Sequence, residues 1–222
     1  MISIYETMAE GYGLVKKIAP KNTSIKILLR HSLRDNYENV KFDEPLTREG
    51  KVMAESFGRG LINDNIEKIV TSHSPRCIDT GKYIIKGYGK DINCIQNNEL
   101  TYLWIKERTI WSNTYDNIYN HKIKDIMQDM LDKKEVLGAF TIEECVDKML
   151  NLMFLNDKEK TALNNSTFDI FISHDSFIML LLCYLLKCNV SDIKWIYMLE
   201  GVFLWKENNN LNMVWRGVHY KI

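Results

Sequence analysis

The chain has 222 residues, 45% hydrophobic and 26% charged, a globular balance that fits neither a disordered nor a fibrous protein. Its 29 Lys and Arg residues equal its 29 Asp and Glu residues, so no overall field gathers a nucleic acid or an anionic bilayer, and any anionic ligand must be met by a local cluster. The longest strongly apolar stretch, Phe177–Leu186, is about half the roughly 20 residues of a membrane span and reads as a buried helix.

This length suits one domain, read here as residues 1–222 with a mainly helical insertion at about 100–167. Met1–Lys21 scatters Glu6, Glu10, Lys16 and Lys17 among apolar residues and lacks the order of a secretory leader, so a cytoplasmic protein is expected. Cys77, Cys94, Cys145, Cys183 and Cys188 are odd in number and include no C-x-x-C pair, which predicts buried reduced thiols rather than disulfides or a zinc site.

In chain order, Ile25–Leu29 is a short apolar run ending in Arg30-His31, a buried strand that delivers polar residues at its exit. Thr47 is placed to cap a helix running through Val52, Met53, Phe57 and Leu61. Lys68–Thr71 is a second strand, followed by Ser72-His73-Ser74-Pro75-Arg76 and a helix around Cys77–Lys86. Ile92–Gln96 is a third strand leading to Glu99; Tyr102, Trp104, Trp111 and Tyr115 after it are read as core. Ile118–Met130 and Thr141–Leu155 have helical spacing, with Met127, Met130, Met149 and Met153 as packing residues. Phe168–Ser173 is a fourth strand, with His174-Asp175 at its exit before the apolar helix. Gly201–Lys206 and Leu211–Val218 form a terminal hairpin around Asn208–Asn210. Strands alternating with helices predict an α/β fold, a three-layer α/β/α sandwich with a mainly parallel central sheet.

In open parallel sheets, ligands sit beyond the carboxyl ends of the strands. Three polar clusters stand at such ends: Arg30-His31-Ser32-Leu33-Arg34, Ser72-His73-Ser74-Pro75-Arg76 and Ser173-His174-Asp175. Arginine presents a planar fork of donors that matches phosphate oxygens and stays charged throughout a reaction. A neutral imidazole held in one tautomer is a nucleophile able to divide one hard displacement into two easier ones.

Arg30-His31-Ser32-Leu33-Arg34 resembles the R-H-G-x-R signature of the histidine phosphatase superfamily, which includes phosphoglycerate mutases, acid phosphatases and phytases. Pro45-Leu46-Thr47-Arg48-Glu49-Gly50 resembles its L-T-x-x-G element, and Ser72 through Arg76 to Thr80 resembles S-x-x-x-R-x-x-[TS]. With Ser173-His174-Asp175, the likeness runs from about Ile25 to Leu186 and implies a phosphoglycerate mutase-like fold. It further implies that His31 accepts a phosphoryl group whose oxygens are bound by Arg30, Arg34, Arg76 and His174.

The general acid is Asp175 if the acid-phosphatase-like branch is followed, or Glu99 if the mutase-like branch is. The R-H-x-x-R spacing leans to the first and the short chain to the second. Ser32 stands where the family usually has glycine, and His73 has no family role but is available to bind substrate. The expected activity is hydrolysis of a small phosphorylated substrate with no metal or other cofactor and no nucleic-acid or membrane partner; no feature calls for a partner protein. The alternatives are a phosphomutase using the same phosphohistidine and a catalytically silent binder of phospho-ligands.

Overall fold

The computed structural model describes residues 4–35, 43–115, 119–155, 157 and 165–222. Seven strands form one sheet: β1 (Ser24–Arg30), β2 (Ile66–Thr71), β3 (Asn93–Gln96), β4 (Thr167–Ser173), β5 (Gly201–Glu207), β6 (Asn210–Trp215) and β7 (Val218–Lys221). The order is β3-β2-β4-β1-β5-β6-β7; the first four strands run parallel, and β5, β6 and β7 continue the sheet antiparallel.

Helices α1 (Ile4–Ile18), α2 (Arg48–Gly60) and α3 (Pro75–Tyr88) cover one face. The other face carries α4 (Glu99–Tyr102), α5 (Arg108–Tyr115), α6 (Tyr119–Leu131), α7 (Ile142–Phe154) and α8 (Asp175–Leu186). The strands show why two layers of helix are required. In β4, Phe168, Ile170 and Ile172 pack with α1–α3 while Phe171 packs with α8, so both faces are apolar and both must be covered. Trp104, Trp111 and the four methionines are buried in the core on the α4–α8 side.

Several boundaries move. Helix α1 adds an element where none was expected, and its Met8 and Val15 are buried against the sheet. Ile118 lies outside the described residues, and the helix after it spans Tyr119–Leu131. The expected strand Leu211–Val218 is interrupted: Arg216 and Gly217 have φ of 47° and 72°, forming a two-residue turn between paired Trp215 and Val218, and β7 results. Asn208 and Asn209, at φ of 49° and 67°, make the corresponding turn between β5 and β6 at the expected tip. Cys94 is exposed on the edge strand β3 rather than buried, whereas Cys77, Cys145 and Cys183 are enclosed.

Lys26, inside the apolar run of β1, is fully buried. Its ammonium donates to Asp169 Oδ2 at 2.8 Å, Asp157 Oδ1 at 2.6 Å and Ser24 Oγ at 2.7 Å, which compensates for the lost water.

The loop leaving β1 is fixed by α2. Thr47 caps that helix by accepting from Gly50 N at 2.9 Å, and its own N–H donates to Leu33 O at 3.0 Å. Gly50 lies so close that a Cβ there would be 2.2 Å from Leu33 O. The spacing from Thr47 to Gly50 thus serves to seat a helix start directly on the 31–34 loop. Gly50→Ala is expected to destabilise the fold by about 1–3 kcal/mol, because the obstacle is backbone; a urea midpoint equal to wild type would show that the loop is not held this way.

Candidate active site

Polar residues leave the carboxyl ends of β1, β2 and β4, three neighbouring strands, and meet in one pocket. Arg30, His31, Arg34 and Arg76 are buried there. His31 Nδ1 lies 2.8 Å from the Ser32 carbonyl, which can only accept, so the proton sits on Nδ1 and the Nε2 lone pair is available. Arg76 Nε donates to that Nε2 at 3.2 Å.

The second imidazole is fixed by the same logic. Arg76 Nη2 is 3.2 Å from His174 Nδ1 and can only donate, so His174 carries its proton on Nε2 and donates to Ser72 Oγ at 3.0 Å. Ser72 in turn lies 3.0 Å from Thr101 Oγ1 and also accepts from Ser74 N at 3.2 Å. The two rings meet edge to face with centroids 5.6 Å apart, and Arg76 spans them.

Electrostatics keep both rings neutral. Burial, followed by the charges of Arg76, His174 and Arg30, pushes His31 well below the ordinary imidazole value of 6.5, and the Ser32 hydrogen bond only partly opposes this. Burial and then Arg76 depress His174 likewise, against the pull of Asp175. Cys77 Sγ stands 3.9 Å from His174 Nε2, but burial raises its thiol to about 11, which leaves it uncharged.

Asp175 opens α8. Its Oδ2 pairs with Arg30 Nη2 at 2.6 Å and accepts from Trp195 Nε1 at 3.0 Å, while Oδ1 accepts from Ser176 N at 2.8 Å. Burial pushes this carboxyl up, but Arg30, the two N–H donors and His174 together bring it below its ordinary value. Glu99 is exposed at the start of α4, with its backbone N–H on Asn97 Oδ1 at 2.7 Å, apart from this contact set. Arg34 is held by Glu44 Oε2 at 2.7 Å. His73 contributes its backbone N–H to Thr101 Oγ1 at 2.9 Å, and its ring Nδ1 is buried without a hydrogen-bond partner among the described residues.

Ser32 fits where glycine was expected because its backbone does not use positive φ. Its N–H donates to Thr80 Oγ1 at 2.9 Å, and its hydroxyl donates to Gly50 O at 2.7 Å. Trp195, Thr101 and Glu44 are participants that the motif reading passed over. None belongs to a motif, and only the contacts reveal them. Among the described residues no cluster of three or more His, Cys, Asp or Glu side chains is arranged to hold a metal ion, and no helix is long and apolar enough to cross a membrane.

Arginines at strand ends converge on paired imidazoles, and the chain belongs to the histidine phosphatase superfamily: the family model for that superfamily (branch 1) matches residues 26–201. The fold is phosphoglycerate mutase-like. YhfR of Bacillus stearothermophilus superposes with a TM-score of 0.62 at 16% identity, covering 87% of this chain and 96% of that one. Mycobacterial glucosyl-3-phosphoglycerate phosphatase gives 0.59 at 14% identity, covering 88% and 100%. Phosphoglycerate mutase from Bacillus anthracis gives 0.56 at 13%, covering 91% and 92%. Comparison with curated protein sequences gives no match.

Two imidazoles that stay neutral in the fold but gain protons when unfolded make stability depend on pH. Their contribution is complete above about pH 6.5 and declines below it, by about 1.4 kcal/mol per pH unit for each ring, until the folded rings themselves protonate. Urea unfolding from pH 7.5 down to 5.0 should show this fall, with a shallower slope in His31→Gln. A wild-type stability that is flat over this range would contradict the burial of neutral rings.

Proposed function

We propose that the protein is a phosphatase that hydrolyses a small phosphomonoester through a covalent phosphohistidine on His31. The observation that carries this reading is the pairing of an unprotonated Nε2 on His31 with a guanidinium facing it. A dianionic ester would replace the imidazole lone pairs as the acceptor for Arg76, with Arg30 and Arg34 taking its remaining oxygens and His174 donating to one of them once the incoming charge draws a proton onto its Nδ1. Nε2 then attacks phosphorus and the bond to the ester oxygen breaks. That oxygen leaves with a proton from Asp175. Water next attacks the phosphohistidine, giving its proton to Asp175 and releasing inorganic phosphate, which restores the free imidazole.

The branch 1 match and mutase-like fold point to Glu99, but Asp175 is favoured on geometry: it is in contact with Arg30 and adjoins His174, whereas Glu99 is exposed. Its resting ionisation is compatible with the role. A bound dianion draws on Arg30 and places negative charge beside the carboxylate, and both changes favour uptake of a proton. The burial of the phosphoryl-binding groups supports charge neutralisation by the chain itself, with no cofactor. A structural neighbour named as a glucosyl-3-phosphoglycerate phosphatase supports a small phosphorylated substrate. Ser32 is accommodated with both of its polar groups bonded, which supports an active enzyme over a silent binder.

His31→Ala should lower turnover of 4-nitrophenyl phosphate at least about a thousandfold and abolish acid-labile phosphoenzyme. Wild-type rates in that variant would end the proposal. Asp175→Asn should lower kcat/KM for phenyl phosphate about a hundredfold or more and that for 4-nitrophenyl phosphate much less, since kcat/KM reports the phosphorylation step and the nitrophenolate departs without a proton. Product formation that requires a bisphosphate primer would instead mark the enzyme as a mutase.

A further inference from the structure

The segment 193–200, between a short 3-10 turn at Val190–Asp192 and β5, touches both Arg30 and Asp175 without carrying any recognised motif. It is nevertheless pinned by side chains from several elements. Arg216, in the turn after β6, donates Nε to Glu200 Oε1 at 2.6 Å and Nη2 to both Glu200 Oε2 at 3.1 Å and the Trp195 carbonyl at 3.3 Å. Glu200 is buried, and its Oε2 also accepts from Tyr197 N at 2.8 Å. Arg30 Nη1 donates to the Ile196 carbonyl at 2.6 Å, and Leu199 N reaches the His31 carbonyl at 3.4 Å.

These bonds fix where the Trp195 indole points. A half-exposed tryptophan has water available for its N–H; this one instead gives it to Asp175 Oδ2, with the Lys124 ammonium 5.3 Å over its face. A carboxylate offers about four lone-pair positions, two on each oxygen. Oδ2 spends its two on Arg30 and Trp195, and Oδ1 spends one on Ser176 N. The position left for a proton is therefore on Oδ1.

We propose that Trp195 is a positioning residue for Asp175: its indole N–H, with Arg30, saturates Oδ2, directs the transferable proton to Oδ1 and sets the pH range over which that proton is held. This rests on Asp175 being the proton donor of the proposed phosphatase. The groups around Asp175 are Arg30 from β1, Arg76 and Cys77 from α3, His174 and the Ser176 N–H at the start of α8, and Trp195 from the loop. Beside the backbone N–H of Ser176, Trp195 is the side chain of this set that donates to the carboxylate without carrying charge, so its removal changes the carboxyl while leaving the cationic cradle intact.

The test is Trp195→Phe in the full chain, comparing phenyl phosphate with 4-nitrophenyl phosphate across pH. Loss of a donor to a carboxylate weakens the ionised form. The descending limb of kcat/KM for phenyl phosphate should move up by about one pH unit, whatever its plateau. The 4-nitrophenyl phosphate profile should barely move, and phosphohistidine should still form. A purely structural role would lower both plateaus without moving the limb. Arg216→Gln, distant from the chemistry, should give a smaller shift in the same direction.

If Trp195→Phe does not fold, the wild-type indole N–H resonance of Trp195 decides. It should titrate with Asp175 and become invariant over that range in Asp175→Asn. No phosphohistidine in the wild type would defeat the phosphatase reading. Full phenyl phosphate activity in Asp175→Asn would defeat the donor assignment. If both hold, an unmoved limb together with a pH-invariant indole resonance would overturn the role of Trp195.

Discussion

One guanidinium pressed against two uncharged imidazoles governs this site. Arg76 faces the acceptor nitrogens of His31 and His174 at the same 3.2 Å, and its charge discourages either ring from taking a proton. The rings consequently keep lone pairs turned into a pocket that already holds Arg30 and Arg34. The cost of gathering these buried cations is offset in part by carboxylates of the same site.

The two carboxylates at the site have complementary effects. Glu44 holds Arg34, and Asp175 holds Arg30, so neither guanidinium has to be ordered when a ligand arrives. A weakly charged visitor competes poorly with these internal partners; a dianion competes well. Preorganisation and selectivity for charge thus come from the same ion pairs.

Much of this was legible in the sequence, because strands buried on both faces write themselves as continuous apolar runs and the polar clusters follow directly at their ends. Arg30, His31, Arg76, His174 and Asp175 were placed together by that rule and by the family likeness, and the structure brings them into contact. Glu99 follows a strand as well, but β3 is the exposed edge, so a residue at its end leads to solvent. Helix α1 carries a weak helical signal because Gly11 interrupts the buried face formed with Met8 and Val15; Gly11 is small since a Cβ there would be 3.1 Å from the Phe203 ring. Trp195, Thr101 and Glu44 carry no local signal. Their placement depends on tertiary contacts between segments far apart in the chain, which periodicity cannot encode.

The anchoring of the loop 193–200 by Arg216 also has a temporal side. His31 emerges early in synthesis, but the last support for its pocket is a side chain in the turn after β6. A ribosome-bound chain that has not yet exposed that turn carries an imidazole without finished surroundings. The placement of the loop 193–200, and with it of the Trp195 indole beside Asp175, is therefore completed only once that turn has formed.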